Sequence, residues 1–197
     1  YYCESIAATN PCGEQPLPPN GACLLGSFNL VKYVKTSGLE RVIDYKQLAD
    51  DIPHVVRAMD NVIDRAVYPL MEQEQEAKSK RRMGLGVTGV ANAIEALGYP
   101  YGSQSFMDEF EIVLKVLRNG CYNASVDLAI EKGSFPLYDA GYHQHSMFIN
   151  TLPPYLRERI ATHGIRNSHL LSIAPTGTIS LTADNVSSGL EPVFSYG

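Results

Sequence analysis

A chain of 197 residues with 45% hydrophobic and 19% charged residues has the makeup of an ordinary globular protein, and a domain of this size can hide roughly 70% of its unfolded surface. Its 16 basic and 21 acidic residues, a formal net charge of -5, exclude the broad cationic face that a polymeric nucleic acid requires. No apolar run approaches the ~18 residues of a membrane span, and no basic-then-apolar leader is visible, so a cytoplasmic protein with no membrane partner is expected.

The first 30 residues carry short β-prone stretches broken by Asn10-Pro11, Pro16 to Pro19 and Asn20-Gly21, the chemistry of turns and loops. Ala22 to Leu30 follows as a mostly apolar strand compatible with burial on both faces. Between Tyr45 and Ala66, the residues Leu48, Ile52, Val55, Val56, Met59, Val62 and Ile63 recur at three- and four-residue steps. That spacing predicts a helix with one apolar face, with Pro53 as a kink or restart. The acidic stretch around Glu72, Glu74 and Glu76 and the basic run from Lys78 to Arg82 read as a solvated helix face or loop. From Met83 to Leu97, three glycines at 84, 86 and 89 precede Val90, Ile94 and Leu97, which suggests a tight turn into a helix.

The longest helical pattern runs from Ser103 to Glu131 through Phe106, Phe110, Val113, Leu114, Leu117, Cys121, Ala124 and Leu128, interrupted only at Gly120. Cys121 on that stripe reads as a small core residue. A short helix from Pro154 to Thr162 comes next, then a buried strand from Leu170 to Ala174 that runs into a loop of small residues. Strands alternating with long helices give an α/β architecture with a largely parallel sheet or barrel. Neither an internal repeat nor an internal domain boundary is expected over residues 1–197. The start at Tyr1-Tyr2-Cys3 without a methionine and the end at Phe194-Ser195-Tyr196-Gly197 after a turn-like segment are expected to be cut from something longer.

In Asn10-Pro11-Cys12-Gly13-Glu14 an amide, a thiol and a carboxylate occupy alternate positions, which an extended backbone would project to one side about 6.6 Å apart. Pro11 donates no backbone hydrogen bond and Gly13 permits unusual dihedrals, so the segment suits a loop tip that pushes the thiol into a cavity. Composition alone also supports a plainer reading, with Asn10 opening a turn, Cys12 an ordinary loop cysteine or a disulfide partner of Cys23, and Glu14 exposed. A conventional thiolate nucleophile would need a nearby base, usually histidine, and the five histidines sit far along the chain.

The cysteines at 3, 12, 23 and 121 form no C-x-x-C pair, so no structural zinc is expected. His143-Gln144-His145 lacks further ligands at metal-binding spacing and reads as a polar loop. In Ala174-Pro175-Thr176-Gly177-Thr178-Ile179-Ser180, backbone N–H groups and hydroxyls after a strand could cradle phosphate oxygens. A Thr/Ser-rich turn is an equal reading, since the lysine and spacing of a P-loop are missing.

The whole stretch from Thr9 to Leu30, beginning Thr-Asn-Pro-Cys-Gly-Glu-Gln-Pro, resembles the active-site region of the large, catalytic subunit of ribonucleotide reductases. Arg81-Arg-Met-Gly-Leu-Gly-Val-Thr-Gly89, Ala174 to Ser180 and Ser188-Gly-Leu-Glu-Pro-Val-Phe194 resemble later segments of that family in the same order. The resemblance implies part of a ten-stranded α/β barrel around a finger loop, with the radical cysteine at Cys12. It further implies that a thiyl radical on Cys12 abstracts the ribose 3′ hydrogen, that Glu14 is the general base and that Asn10 holds the hydroxyls. Cys23 would be one member of the cysteine pair that closes a redox-active disulfide, with its partner expected upstream of Tyr1.

By the same resemblance, Asn10, Pro11, Cys12, Gly13 and Glu14, with Pro175, Thr176, Gly177, Thr178, Ile179 and Ser180, bind the ribonucleotide substrate and its phosphates. The Asn-Pro-Cys-Gly-Glu-Gln wording is more similar to the adenosylcobalamin-dependent branch than to relatives that take their radical from a metal-containing partner subunit. Implied partners are a thioredoxin-like or glutaredoxin-like reductant, the remainder of the reductase chain or a complementing chain, and a second copy in a homo-oligomer. A non-catalytic nucleotide-binding half-barrel and a cysteine-nucleophile hydrolase stand as the rival readings.

Overall fold

The computed structural model describes residues 2–193; Tyr1 and Phe194-Ser195-Tyr196-Gly197, with the last residue of the Ser188 to Phe194 motif, lie outside the described residues. Its centre is a strand, β6 (Met83–Thr88), buried along its whole length. Alternate residues of a strand project to opposite faces. Met83, Leu85 and Val87 therefore give one apolar face, while Gly84, Gly86 and Thr88 leave the other nearly bare backbone. The expected tight turn into a helix is thus a strand first: the turn comes at Gly89, whose φ of 71° suits a residue without Cβ, and α3 (Val90–Glu95) follows.

On one side β6 pairs in parallel with β3 (Leu24–Asn29), from Leu24 opposite Met83 to Asn29 opposite Thr88. On the other, Leu85 donates its N–H to Leu170 O (2.8 Å) and accepts from Ser172 N (3.3 Å), a parallel bridge centred on Leu85 and Leu171. The expected Leu170 to Ala174 strand is reduced to this rung, because Ala174 leads into Pro175, which has no N–H to add to a ladder. Burial of β3 on both faces is also corrected: Phe28 alone is buried in it and Leu25 is exposed. β3 has a strand neighbour on one side only among the described residues. Two antiparallel pairs flank this sheet, β1 (Ala8–Thr9) with β2 (Pro16–Leu17) and the hairpin β4 (Val34–Ser37) with β5 (Glu40–Ile43). The architecture is mixed α/β, with no closed barrel among the described residues.

Helix α1 (Tyr45–Arg65) starts where the Asp44 carboxylate accepts from Gln47 N (3.1 Å), the usual cap for the unpaired donors of a first turn. It runs unbroken through Pro53, which lies on the exposed side. An exposed position suits a residue with no N–H to give to the helix ladder. Helix α4 (Gln104–Lys132), capped by Ser103, continues through Gly120. A Cβ at Gly120 would stand 2.9 Å from Ile52 Cδ1, so the glycine marks the close approach of the two helices. Cys121 is fully buried in this core, as its position on the stripe foretold, and burial pushes its thiol well up. Helices α2 (Met71–Lys80), α5 (Ala140–His143), α6 (Pro154–His163) and α7 (Gly177–Thr182) complete the set.

The buried face of α1 departs from the apolar pattern in one respect. Val62 is exposed and Asp60 is fully buried. Asp60 accepts from Arg81 Nε (2.8 Å), Asn167 Nδ2 (3.1 Å) and Arg166 Nε (3.3 Å). Asn167 also donates to the Arg81 carbonyl (3.0 Å), and its N–H reaches the Ser125 hydroxyl on α4 (3.1 Å). The expectation of a solvated basic run is therefore wrong for three of its members: Lys80, Arg81 and Arg82 are buried, and only Lys78 keeps an exposed ion pair, with Glu74. A buried cation persists only with a paired anion and satisfied hydrogen bonds.

Removing a partner from such a site leaves an uncompensated buried charge. Asp60→Ala is expected to lower stability by about 3–5 kcal/mol, read as a shift in the urea midpoint. Asp64→Ala, which removes the half-exposed second partner of Arg81, should cost less than about 1 kcal/mol; equal losses would refute the buried network as the anchor.

Candidate functional site

The loop between β1 and β2 is a closed turn. Gly13 N donates to Asn10 O (3.0 Å), Asn10 N to Gln15 O (3.0 Å), and Gln15 N to the Asn10 side-chain Oδ1 (3.0 Å). Proline at the second position favours such a turn, and Gly13 follows it at a φ of 81°. The extended alternation expected of Asn10, Cys12 and Glu14 is replaced by this turn. The loop-tip part of the reading holds, with Pro11, Cys12 and Gly13 exposed and Asn10 and Glu14 half-buried, but the Cys12 thiol is turned to the surface and not into a cavity among the described residues.

The loop rests on the bare face of β6. Gln15 is 3% exposed, and a Cβ on Gly84 would come within 2.6 Å of Gln15 Nε2 and 2.8 Å of Ser172 Cβ. Ser172 donates its hydroxyl to the Glu14 carbonyl (3.0 Å). The glycine alternation of β6 thus opens the space into which the loop is laid. One carboxylate oxygen of Glu14, Oε2, is buried without a hydrogen-bond partner among the described residues. A buried acceptor with no donor carries a desolvation cost.

Cys23 immediately precedes β3. Burial first, and then the Glu14 carboxylate, push its thiol up to about 11, against the opposing influence of Arg82. Glu14 thus stands two residues from Cys12 in the loop and also acts by its charge on Cys23. All four cysteines are free thiols, so Cys12 and Cys23 are not joined.

The segment 174–180 begins at the carboxyl end of the same sheet. Thr176 sits at a φ of 54° and is buried, its hydroxyl 2.7 Å from that of Thr88 and accepting from Gly189 N (2.8 Å). Ser180, also buried, donates to the Gly177 carbonyl (3.0 Å) and lies 3.1 Å from the Ser188 hydroxyl. The expected small-residue loop is in fact the first turn of α7, and the Thr176 and Ser180 side chains face inward. Pro175, Gly177, Thr178 and Ile179 are the exposed members, the last three at a helix start with no side-chain cap. From Gly84, where the Cys12 loop crosses, to Thr88, beside Thr176, is about 13 Å along β6. His143 is buried against Tyr138, and burial holds its ring down to about 4, away from the Cys12 loop in sequence and in its contacts.

The sequence reading missed Gln15, Ser172 and Arg82, which hold the loop. Only the period-two glycines of β6 hinted at a close approach, and they did not say by what.

The family model for the barrel domain of ribonucleotide reductase matches residues 2–196. The vitamin B12-dependent ribonucleoside-diphosphate reductase of Mycobacterium tuberculosis is 36% identical over 190 residues, covering 96% of this chain and 24% of the relative. The protein of the same name from Thermoplasma acidophilum is also 36% identical, covering 96% of this chain and 22% of its own length. The ribonucleoside-diphosphate reductase subunit alpha of Chlamydia pneumoniae is 30% identical over 217 residues, covering 97% of this chain and 20% of the relative. The chain thus spans roughly a quarter or less of these curated relatives. A match along nearly its whole length, coinciding with the parallel strands and the stapled cysteine loop, means that this chain belongs to the ribonucleotide reductase barrel-domain family.

Proposed function

We propose that the chain is part of a single catalytic barrel domain, ten-stranded when complete, of a reductase that converts ribonucleoside diphosphates to 2′-deoxyribonucleotides by thiyl-radical chemistry. The observation that carries this reading is the turn Asn10–Gln15, with Cys12 exposed at the tip and the Oε2 atom of Glu14, two residues on, buried without a hydrogen-bond partner among the described residues. This turn is the finger loop of the proposed barrel.

A Cys12 thiyl radical takes the 3′ hydrogen of the ribose, and Glu14 accepts the proton of the 3′ hydroxyl. Asn10 commits its side-chain oxygen to Gln15 N, which leaves its NH2 group to hold the substrate hydroxyls. The 2′ hydroxyl departs as water. Two thiols, Cys23 and a partner outside this chain, give two electrons and two protons and close a disulfide. Cys12 then returns its hydrogen to C3′, so that each turnover consumes two thiols and yields one deoxyribonucleotide, one water and one disulfide. Pro175 to Ile179, with Ser180 supporting the turn from within, take the phosphates through the uncapped N–H groups at the start of α7.

Pro11, Cys12 and Gly13 are exposed, and a Cβ on Gly13 would meet nothing within 4 Å; the tip has room for a radical source, and these three residues would meet it. Adenosylcobalamin, of the vitamin B12 class in the names of two of the relatives, would be met by Pro11, Cys12 and Gly13 and would supply one-electron radical chemistry at this tip. A metal-containing partner subunit is the alternative source. A thioredoxin-like or glutaredoxin-like protein would reopen the disulfide, in a cytoplasmic setting that keeps cysteines reduced.

The outer edge of β3, unpaired among the described residues, favours a second reading in which these residues serve as a half-barrel completed by another chain. Oligomerisation that rises with concentration would favour it.

The test is deoxyribonucleotide formation by the full-length reductase carrying this chain, with dithiothreitol and with or without adenosylcobalamin. Cys12→Ser is expected to abolish turnover while leaving diphosphate binding intact; retained turnover would sink the assignment, and cobalamin-independent turnover would move the radical source to a partner subunit. Gly84→Ala, which drives a Cβ into Gln15 and Ser172, should lower kcat by about 100-fold through displacement of the loop. An unchanged kcat would mean that the bare face of β6 does not set the height of the thiol.

A further inference from the structure

One residue touches both limbs of the Cys12 loop. Arg82, just ahead of β6, donates Nη2 to both carboxylate oxygens of Glu4 (2.6 Å each), on the limb that enters the loop. Its Nη1 donates to the carbonyl of Pro16 (3.3 Å), on the limb that leaves it. The side chains of Arg82 and Glu4 are each 4% exposed, so water screens this contact little. Lys80 Nζ adds a second cation to Glu4 at 2.9 Å.

The sheet register brings a third group to the same place. Leu24 stands opposite Met83, so one step back along the parallel strands sets Cys23 beside Arg82. Both residues line a common cleft of about 150 Å³. The titratable and charged groups that line this cleft with Cys23 are Arg82, just ahead of β6, and the Tyr68 phenol, and the Glu14 carboxylate acts on the Cys23 thiol from the loop. Helices α1 and α2 and the residue that ends α1 present only Val62, Ile63, Ala66 and Ala77.

We infer that Arg82 is a positioning residue that staples the two limbs of the Cys12 loop and turns a buried positive charge toward Cys23, setting the thiolate reactivity of that cysteine. This rests on the reductase reading only for the role of Cys23 in turnover. The geometry and the charge stand without it. A carboxylate from Glu14 disfavours the thiolate and the guanidinium favours it, an opposition already visible in the influences on the Cys23 thiol. Because one side chain serves both purposes, charge and shape separate on substitution: lysine keeps the first and loses the fork that reaches two acceptors at once.

The experiment uses the full-length reductase and follows iodoacetamide labelling of Cys23 by mass spectrometry across pH, alongside kcat and circular dichroism. Arg82→Gln is expected to slow labelling of Cys23 at pH 8 about tenfold, the effect of removing one adjacent cation, and to lower kcat. Arg82→Lys should restore labelling but not kcat. Loss of structure alone would act in the opposite direction, exposing Cys23 and speeding its labelling. Labelling that is unchanged or faster in Arg82→Gln overturns the proposal, as does a parental kcat in that variant. Should the single variant fail to fold, Glu4→Gln/Arg82→Gln removes both members of the ion pair together, and slowed labelling is expected there too. Activity of Cys12→Ser would fell the reductase reading by itself, while the labelling result would still decide the role of Arg82.

Discussion

The buried carboxylate of Asp60 is the fixed point of this structure. It sits on the core face of α1 among Ile52, Val56, Met59 and Ile63, a place where an unpaired charge would be prohibitively costly. Arg81, Arg166 and Asn167 answer it from two other parts of the chain, and Asn167 continues to Ser125 on α4. Four distant segments are therefore held in one arrangement, because any other would strand a charge in an apolar interior. Hydrophobic burial supplies the bulk of the cohesion, but it is not directional. The ionic network determines which residues of 81–88 and 165–172 lie side by side.

From that alignment the site follows in steps. Arg81 sits at a left-handed φ of 53° as the chain leaves α2, and β6 begins two residues later. Once β6 is placed against the rung at Leu171, its glycines and Ser172 form a shallow floor. The loop carrying Cys12 lies on that floor through Gln15 and the Glu14 carbonyl, and Arg82, just ahead of the strand, holds both limbs. Thr88, at the far end of the same strand, reaches Thr176 and the start of α7. One strand thus carries the two halves of the proposed site, which makes their separation a property of β-strand rise and not of flexible loops.

The electrostatics of the cysteines follow from the same layout. Cys121 is sealed in the α1–α4 core, where only burial acts on it. Cys23 is half-buried and feels a carboxylate and a guanidinium that act on its thiol in opposite directions. Cys12 stands at an exposed tip. Three thiols of one chain thereby fall into three environments: a sealed core, a half-buried cleft under opposing charges and an exposed loop tip.

Much of this was legible in the residues themselves. Helix periodicity located α1, α4 and α6 to within a residue or two, since a 3.6-residue repeat of apolar side chains has few other uses. The Asn-Pro-Cys-Gly-Glu wording marked a loop tip and the family. Tertiary structure alone decided that Lys80, Arg81 and Arg82 are buried, that Asp60 and not Val62 faces the core, and that Thr176 and Ser180 turn inward. It also decided that Gln15, Ser172 and Arg82 hold the loop. The physical reason is common to all of these: composition assigns a charge or hydroxyl to solvent by default, and burial reverses that only when a partner far away in sequence arrives to satisfy it. Local periodicity is written along the chain, whereas the pairing of buried polar groups exists only between segments that the fold has brought together.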